Sequence, residues 1–234
     1  MKKLGIIGAM KVEVETLQNA MTEKKIQTIA GMDFCEGLLE GLPAVVVECG
    51  VGKVNAAVCA QILCSCYKIS HLVNTGVAGS LNAKLDICDL LVSKDAMYYD
   101  VDCQYVGYAP CVLPGMPETF EADDFLIGRA FAAAESIKPG HTHIGRVATG
   151  DCFVAKKELK EKIVALTQAS CVEMEGAAIA HTAYRNGVPF VILRAISDKA
   201  DDSAEMDYPT FEANAAAFCA RLTETLARDL AQDE

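Results

Sequence analysis

Apolar residues return along this chain in two rhythms, short unbroken runs and segments where they recur every three or four positions. Leu4 to Ala9 (L-G-I-I-G-A) is an unbroken run, which predicts a strand buried on both faces. From Lys11 to Met21 the apolar positions Val14, Leu17 and Met21 fall at helical spacing. Phe34 to Leu39 and Ala44 to Cys49 flank Glu40-Gly41-Leu42-Pro43 and predict a hairpin. Val51-Gly52-Lys53 opens an apolar helix that continues to Cys66. His71 to Thr75, ended by Gly76, predicts a strand, and so do Leu90 to Ser93, Thr142 to Thr149 and Cys171 to Met174. Glu175 to Asn186 predicts a helix closed by Gly187. Pro189 to Ile196 is a strongly apolar strand. The last helix runs from about Thr210 to Leu230, with Phe211, Ala215, Phe218, Leu222 and Leu226 as its buried stripe.

Strands alternating with helices imply an α/β fold, a mostly parallel sheet covered on both faces. The early hairpin adds antiparallel pairing, so the expected architecture is a three-layer α/β/α sandwich around a central mixed, twisted sheet. No linker, repeat or low-complexity tract divides the chain, and residues 1–234 read as a single domain. The longest irregular stretch is Met97 to Asp123, which carries Tyr98, Tyr99, Tyr105, Tyr108, Pro110, Pro114 and Pro117. A loop of that length and composition is either a binding or interface loop or a packed surface excursion.

Composition narrows the partners. Apolar residues make up 52% of the 234, which excludes a disordered chain. Lys plus Arg number 21 against 32 Asp plus Glu, a net charge of −11, so clustered basic contacts to nucleic acid or an anionic membrane are not expected. No apolar run is long enough to cross a bilayer, and Leu4 to Met10 is followed by no cleavage-site pattern, so no signal peptide is read. The eleven cysteines form no C-x-x-C pair and sit mostly in apolar runs, such as Cys49, Cys59 and Cys171. They read as small buried hydrophobes in a reducing cytoplasm. His71, His141, His143 and His181 form no metal-binding spacing, and no metal is expected.

Ligands of α/β sheets gather where strands end. Gly8-Ala9-Met10, Gly50-Val51-Gly52, Gly76 to Gly79, Val172 to Glu175 and Ser197-Asp198 all read as such ends. Gly5 to Gly8 is G-x-x-G rather than a dinucleotide fingerprint, and Gly76 to Gly79 lacks the Lys-Ser/Thr of a phosphate loop. Three carboxylates stand out, each with an ordinary reading beside the functional one. Glu13 is either a site residue or an exposed first-turn Glu favouring the helix dipole. Glu175 opens an almost wholly apolar helix, and it either faces a site or caps its own amides. Asp198 ends a buried strand and either faces a site or caps the turn. Arg194, inside that strand, needs an acidic partner, and a structural ion pair satisfies that need.

These residues fall in blocks: I-I-G-A-M from Ile6 to Met10 with Glu13, G-V-G-K-V from Gly50 to Val54, and N-T-G-V-A-G from Asn74 to Gly79. They continue with Gly107-Tyr108, Leu113-Pro114-Gly115, G-D-C-F-V from Gly150 to Val154, V-E-M-E-G-A-A-I-A-H from Val172 to His181, and R-A-I-S-D from Arg194 to Asp198. In kind and order the blocks resemble the 5′-methylthioadenosine/S-adenosylhomocysteine nucleosidases of the nucleoside phosphorylase superfamily, over nearly the whole chain. The resemblance implies a nucleoside phosphorylase-like fold. It also implies hydrolysis of the N-glycosidic bond of 5′-methylthioadenosine and S-adenosylhomocysteine, with 5′-deoxyadenosine as a further candidate, in methionine salvage and S-adenosylhomocysteine removal.

The resemblance further implies residue roles and partners. Asp198 is the general acid that protonates the purine at N7, oriented by Ser197. Glu13 is the general base for the attacking water, with Arg194 nearby, and Glu175 binds the ribose hydroxyls. Met174 lies against the sugar, Phe153 stacks on adenine and the Val154 backbone bonds its edge. Met10, Val51 and Tyr208 line the apolar 5′ pocket, Glu173 belongs to the substrate-binding set, and Val77 has a backbone role. No cofactor is implied. A homodimer is, with Tyr108 and Pro114 of the 97–123 loop reaching the neighbouring site. Tyr208 stands where Phe is common, Val106 where an aromatic is common, and Val77 where Ser or Thr is common. A phosphate-dependent purine nucleoside phosphorylase is the closest alternative. Glu13 opposes it by repelling the phosphate dianion, and Lys11 is the nearest cation in sequence. A non-catalytic nucleoside-binding protein is the alternative from another class.

Overall fold

The structure, a computed structural model, describes residues 2–232, the side chain of Met206 apart. The elements run β1 (Leu4–Gly8), α1 (Lys11–Ala20), β2 (Thr22–Ile29), β3 (Met32–Leu39), β4 (Leu42–Glu48), α2 (Lys53–Ile62), β5 (His71–Ser80) and β6 (Leu90–Tyr98). They continue with β7 (Phe120–Glu121), α3 (Asp124–Ile137), β8 (Thr142–Thr149), α4 (Lys157–Thr167), β9 (Cys171–Glu173), α5 (Gly176–Asn186), β10 (Phe190–Asp198) and α6 (Ala204–Gln232). A single mixed sheet runs β10-β6-β8-β9-β5-β1-β4-β3-β2, with β7 beside β6. β10 also pairs with β5, so β5, β10, β6, β8 and β9 close into a ring while β1 to β4 fan out as an open sheet.

Helices cover both faces, the sandwich that the alternating pattern predicts. On one face Ala56, Cys59 and Ala60 of α2 pack with Ala177 and Ala180 of α5 against Ile7, Val45 and Val47. On the other, Val14 and Leu17 of α1, Leu126 and Ala130 of α3, and Ala215, Cys219 and Leu222 of α6 cover Ile6, Val46 and Leu193. Burying whole Leu and Ile side chains in this way contributes about 1.5–3 kcal/mol each. Small residues on α2 and α5 let those helices approach the sheet and each other closely.

Several elements depart from the pattern read in the sequence. β2 is exposed along nearly its whole length and lies at the sheet edge, so its residues T-E-K-K-I-Q-T-I show no alternation. α3 and α4 were not read. β5 does not stop at Gly76: Gly76 to Gly79 is strand, held by β10 through Arg194↔Gly76 to Asp198↔Gly79. α2 ends at Ile62 and passes into a π-helical turn from Leu63 to Tyr67. α6 begins at Ala204, ahead of the expected start near Thr210, and contains Pro209. Tyr98 and Tyr99, read as part of the long loop, are buried at the end of β6.

All the cysteines among the described residues are free thiols, and Cys35, Cys49, Cys59, Cys111, Cys171 and Cys219 are buried. No helix among the described residues is long and apolar enough to cross a membrane.

Candidate active site

The site lies where the sheet divides. Along one edge, β5 pairs with β1 only as far as Asn74, and with β9 only from Gly79. The backbone between has no strand beside it, although β10 holds the opposite edge. An unpaired strand edge leaves amides free for side chains, and such a division is where open α/β sheets bind ligands.

Glu13 fills the gap. Its Oε1 accepts the Val77 amide at 3.0 Å, and its Oε2 accepts the amides of Ala9 at 2.7 Å and Met10 at 3.0 Å. It is 3% exposed, which overturns the reading of an exposed first-turn Glu. Gly76 permits the approach: a Cβ there would lie 2.4 Å from both Glu13 Oε1 and Arg194 Nη1. Burial raises the Glu13 pKa, while Arg194 and the three amides oppose the shift.

Glu175 sits at the start of α5 but does not cap it. Glu173 does so instead, its Oε2 accepting the amides of Glu175 at 3.0 Å and Gly176 at 2.7 Å. Glu175 is thereby left to reach across the cavity, where its Oε1 accepts the Gly52 amide at 2.8 Å. Gly52 takes φ +100, a conformation open to glycine and costly for other residues. Burial and the Glu173 charge push the Glu175 pKa up to about 7 against the pull of Arg194.

Asp198 ends β10. Its Oδ1 accepts the Ala200 amide at 2.7 Å, so the turn-capping reading holds for one oxygen. Its Oδ2 accepts the Ser197 hydroxyl at 2.9 Å. That hydroxyl has a second acceptor, the Ala78 carbonyl at 3.4 Å, and turning to it frees the Ser197 oxygen to accept a hydrogen bond from protonated Asp198. Burial raises the Asp198 pKa.

Arg194 lies beneath the cavity rather than in its wall. Its Nη2 donates to Asn74 Oδ1 at 2.6 Å and to Glu173 Oε2, and stands 3.9 Å from Glu175 Oε2. Burial opposes its charge, but Glu173, Glu13 and Glu175 together hold it protonated.

Glu13, Glu173, Glu175 and Asp198 line one cavity of about 230 Å³ with Met10, Val51, Val77, Phe153, Val154, Met174, Ser197 and Tyr208. No Lys, Arg or His lines it among the described residues. The Phe153 ring meets the Tyr208 ring edge-on at 5.4 Å, and the Tyr208 hydroxyl donates to Glu212 Oε1 at 2.7 Å. Tyr108 and Pro114 are exposed and lie outside this cavity. Cys152, also in the wall, and the Gly52 amide were not singled out from the sequence. Both belong to blocks that were, G-D-C-F-V and G-V-G-K-V. Among the described residues no group of three or more His, Cys, Asp or Glu side chains is placed to hold a metal ion.

A sheet split at a strand edge, with carboxylates gathered in the opening, is a small-molecule site of the α/β class. The family model of the phosphorylase superfamily matches residues 3–228. The 5′-methylthioadenosine/S-adenosylhomocysteine nucleosidase of an Exiguobacterium strain is 36% identical over 231 residues, covering 98% of this chain and 99% of that one. The crystal structure of the Neisseria meningitidis 5′-methylthioadenosine/S-adenosylhomocysteine nucleosidase in complex with methylthio-immucillin-A superposes with a TM-score of 0.95 at 34% identity, covering 98% of this chain and 100% of that one. A futalosine hydrolase of Helicobacter pylori superposes with a TM-score of 0.93 at 30% identity, covering 97% and 98%. The chain belongs to the phosphorylase superfamily and, within it, to the 5′-methylthioadenosine/S-adenosylhomocysteine nucleosidases, hydrolases acting on N-glycosyl bonds.

Proposed function

We propose that this cavity hydrolyses the N-glycosidic bond of 5′-methylthioadenosine and S-adenosylhomocysteine, releasing adenine and the 5-thio-ribose. The observation that carries the reading is the convergence of Glu13, Glu175 and Asp198 on one cavity without a cation in its wall.

Breaking the C1′–N9 bond leaves a cationic sugar and an electron-rich base. Asp198 gives its proton to N7, so adenine leaves neutral, and its raised pKa keeps that proton available. Glu13 takes a proton from water as the oxygen adds to C1′, and burial makes it a stronger base. Ionised Glu175 accepts hydrogen bonds from the ribose hydroxyls and favours the sugar more as positive charge develops. Phe153 is half-exposed and free to stack on adenine, Met174 lies against the sugar, and Met10, Val51 and Tyr208 take the 5′-substituent.

Phosphate in place of water would meet four carboxylates and no cation. Lys11 is on the surface, paired with Glu15 at 3.4 Å. Release of adenine from 5′-methylthioadenosine and S-adenosylhomocysteine in phosphate-free buffer tests the reading, with futalosine and adenosine monophosphate as competing 5′-variants. Turnover that requires phosphate would make this a phosphorylase. Binding without release would make it a binding protein.

The protein acts in the cytoplasm as a homodimer, each 97–123 loop bringing Tyr108 and Pro114 to the neighbouring cavity. Exposed apolar side chains at Val51, Val54, Tyr105, Val106 and Tyr108 support this arrangement. Sedimentation at micromolar concentration checks it, and a monomer with full activity would remove it.

A further inference from the structure

Lys53 opens α2, directly after the glycine whose amide binds Glu175. Its ammonium lies 2.6 Å from Asp100 Oδ2 and 3.7 Å from Asp151 Oδ2, above the Tyr98 ring at 5.5 Å. Its backbone amide, the first of α2, donates to Asp151 Oδ1 at 2.8 Å. The Asp151 amide in turn donates to Asp100 Oδ2 at 3.0 Å. One lysine therefore joins three segments far apart in sequence: the start of α2, the root of the 97–123 loop, and the turn that carries Cys152 and Phe153.

The two carboxylates share this corner through one ammonium. Asp100 and Asp151 are close enough to bind the same ammonium, and without it their repulsion acts on both segments. Asp151 is also the external cap of α2, supplying the acceptor that Gly52 has no side chain to provide. A Cβ at Gly52 would lie 3.2 Å from Asp151 Oδ1, so this glycine and this aspartate are fitted to each other. Gly52 and Lys53 are adjacent, so the bond from the Lys53 amide to Asp151 fixes the backbone next to the Gly52 amide that Glu175 accepts.

We infer that Lys53 is a positioning residue for the hydrolysis: by clamping Asp100 and Asp151 it holds the Gly52 amide on Glu175 and the Phe153 turn against the cavity. The inference rests on the proposed function, because it assigns Glu175 a part in turnover. Glu175 is faced by Glu173, by Arg194, by Glu13, by the Cys49 thiol and by the Gly52 amide. Of these, only the amide is under the control of Lys53. Losing that donor removes a contact that favours the ionised form, so the Glu175 pKa rises further.

The test is Lys53→Met, with Lys53→Arg as the conservative variant and adenine release from 5′-methylthioadenosine as the readout. The expected result is a folded Lys53→Met protein whose kcat falls by about 10–100-fold, since small misplacements of catalytic groups cost that much. The acid limb of its kcat–pH profile moves to higher pH, and Lys53→Arg restores most of the rate and the limb. Wild-type kcat and an unmoved limb in Lys53→Met overturn the inference. So does a loss confined to KM, which would make Lys53 a binding contact. If Lys53→Met does not fold, Lys53→Gln, which keeps a donor but no charge, is read by the same criteria. Absence of adenine release by the wild-type protein would count against the proposed function itself, and so is distinguishable from either result.

Discussion

Arg194 donates to Glu173 beneath the cavity floor, and both side chains are almost wholly buried. The pair explains how four carboxylates share one cavity. Glu173 spends its other contacts on the amides of Glu175 and Gly176 and on the Thr149 hydroxyl, fixing the start of α5. Arg194 offsets the charge of Glu173, Glu13 and Glu175 from below, without presenting a cation to the ligand.

Replacing Arg194 by Met leaves Glu173 buried without its counter-charge. Removing one partner of a buried ion pair costs about 3–5 kcal/mol. For a chain of this size that lowers Tm by on the order of 10 °C, read by calorimetry. A Tm within a degree or two of wild type would mean that the pair contributes nothing.

Asp198→Asn keeps an acceptor for the Ala200 amide at its one oxygen, its NH2 faces a Ser197 hydroxyl that can turn to the Ala78 carbonyl, and it has no acidic proton to give. Adenine release falls by about 10²–10⁴-fold with Tm little changed. Residual turnover near wild type would assign the proton to another group.

Glu13→Gln retains acceptor capacity at one atom and loses the base. Hydrolysis slows by about 10²–10⁴-fold. Binding of a non-hydrolysable thioadenosine analogue, followed by calorimetry, persists. Loss of binding with unchanged turnover of bound substrate would give Glu13 a binding role instead.

Glu175 titrates in opposite senses for stability and for activity. Its folded pKa of about 7 lies above its ordinary value of 4.5, so the native state holds a proton that the unfolded chain releases. That stabilisation is complete below about pH 4.5 and is lost as pH rises to about 7. Glu13 and Asp198 are shifted the same way. The ligand-free Tm therefore falls between these pH values, and less steeply in Glu175→Gln. Activity needs Glu175 ionised, so kcat rises across the same interval, and Glu175→Gln loses rate together with that limb. A flat Tm–pH curve in wild type would contradict the assignment.

The interior strands and the alanine-rich helix after Glu175 were legible because continuous burial writes itself as continuous apolar sequence. β2 was not, because an edge strand exposed to water carries no such constraint. Gly76 to Gly79 looked like a turn because glycines punctuate chains. Here they keep a strand thin enough for close approach from the side, by Glu13 and Arg194 at Gly76 and by Asp198 and Ala200 at Gly79.

The kinds of residue at the site, and the blocks they fall in, were fixed by the chain itself. Which carboxylate caps the helix and which one reaches across the cavity was decided only in three dimensions. Glu173 and Glu175 are chemically alike and two residues apart. What separates them is that Arg194, from a strand 21 residues beyond Glu173, lies under one, while the Gly52 amide, 123 residues before Glu175, lies over the other. Electrostatic and hydrogen-bond partners of that kind depend on distance in space, and distance in sequence carries no record of it.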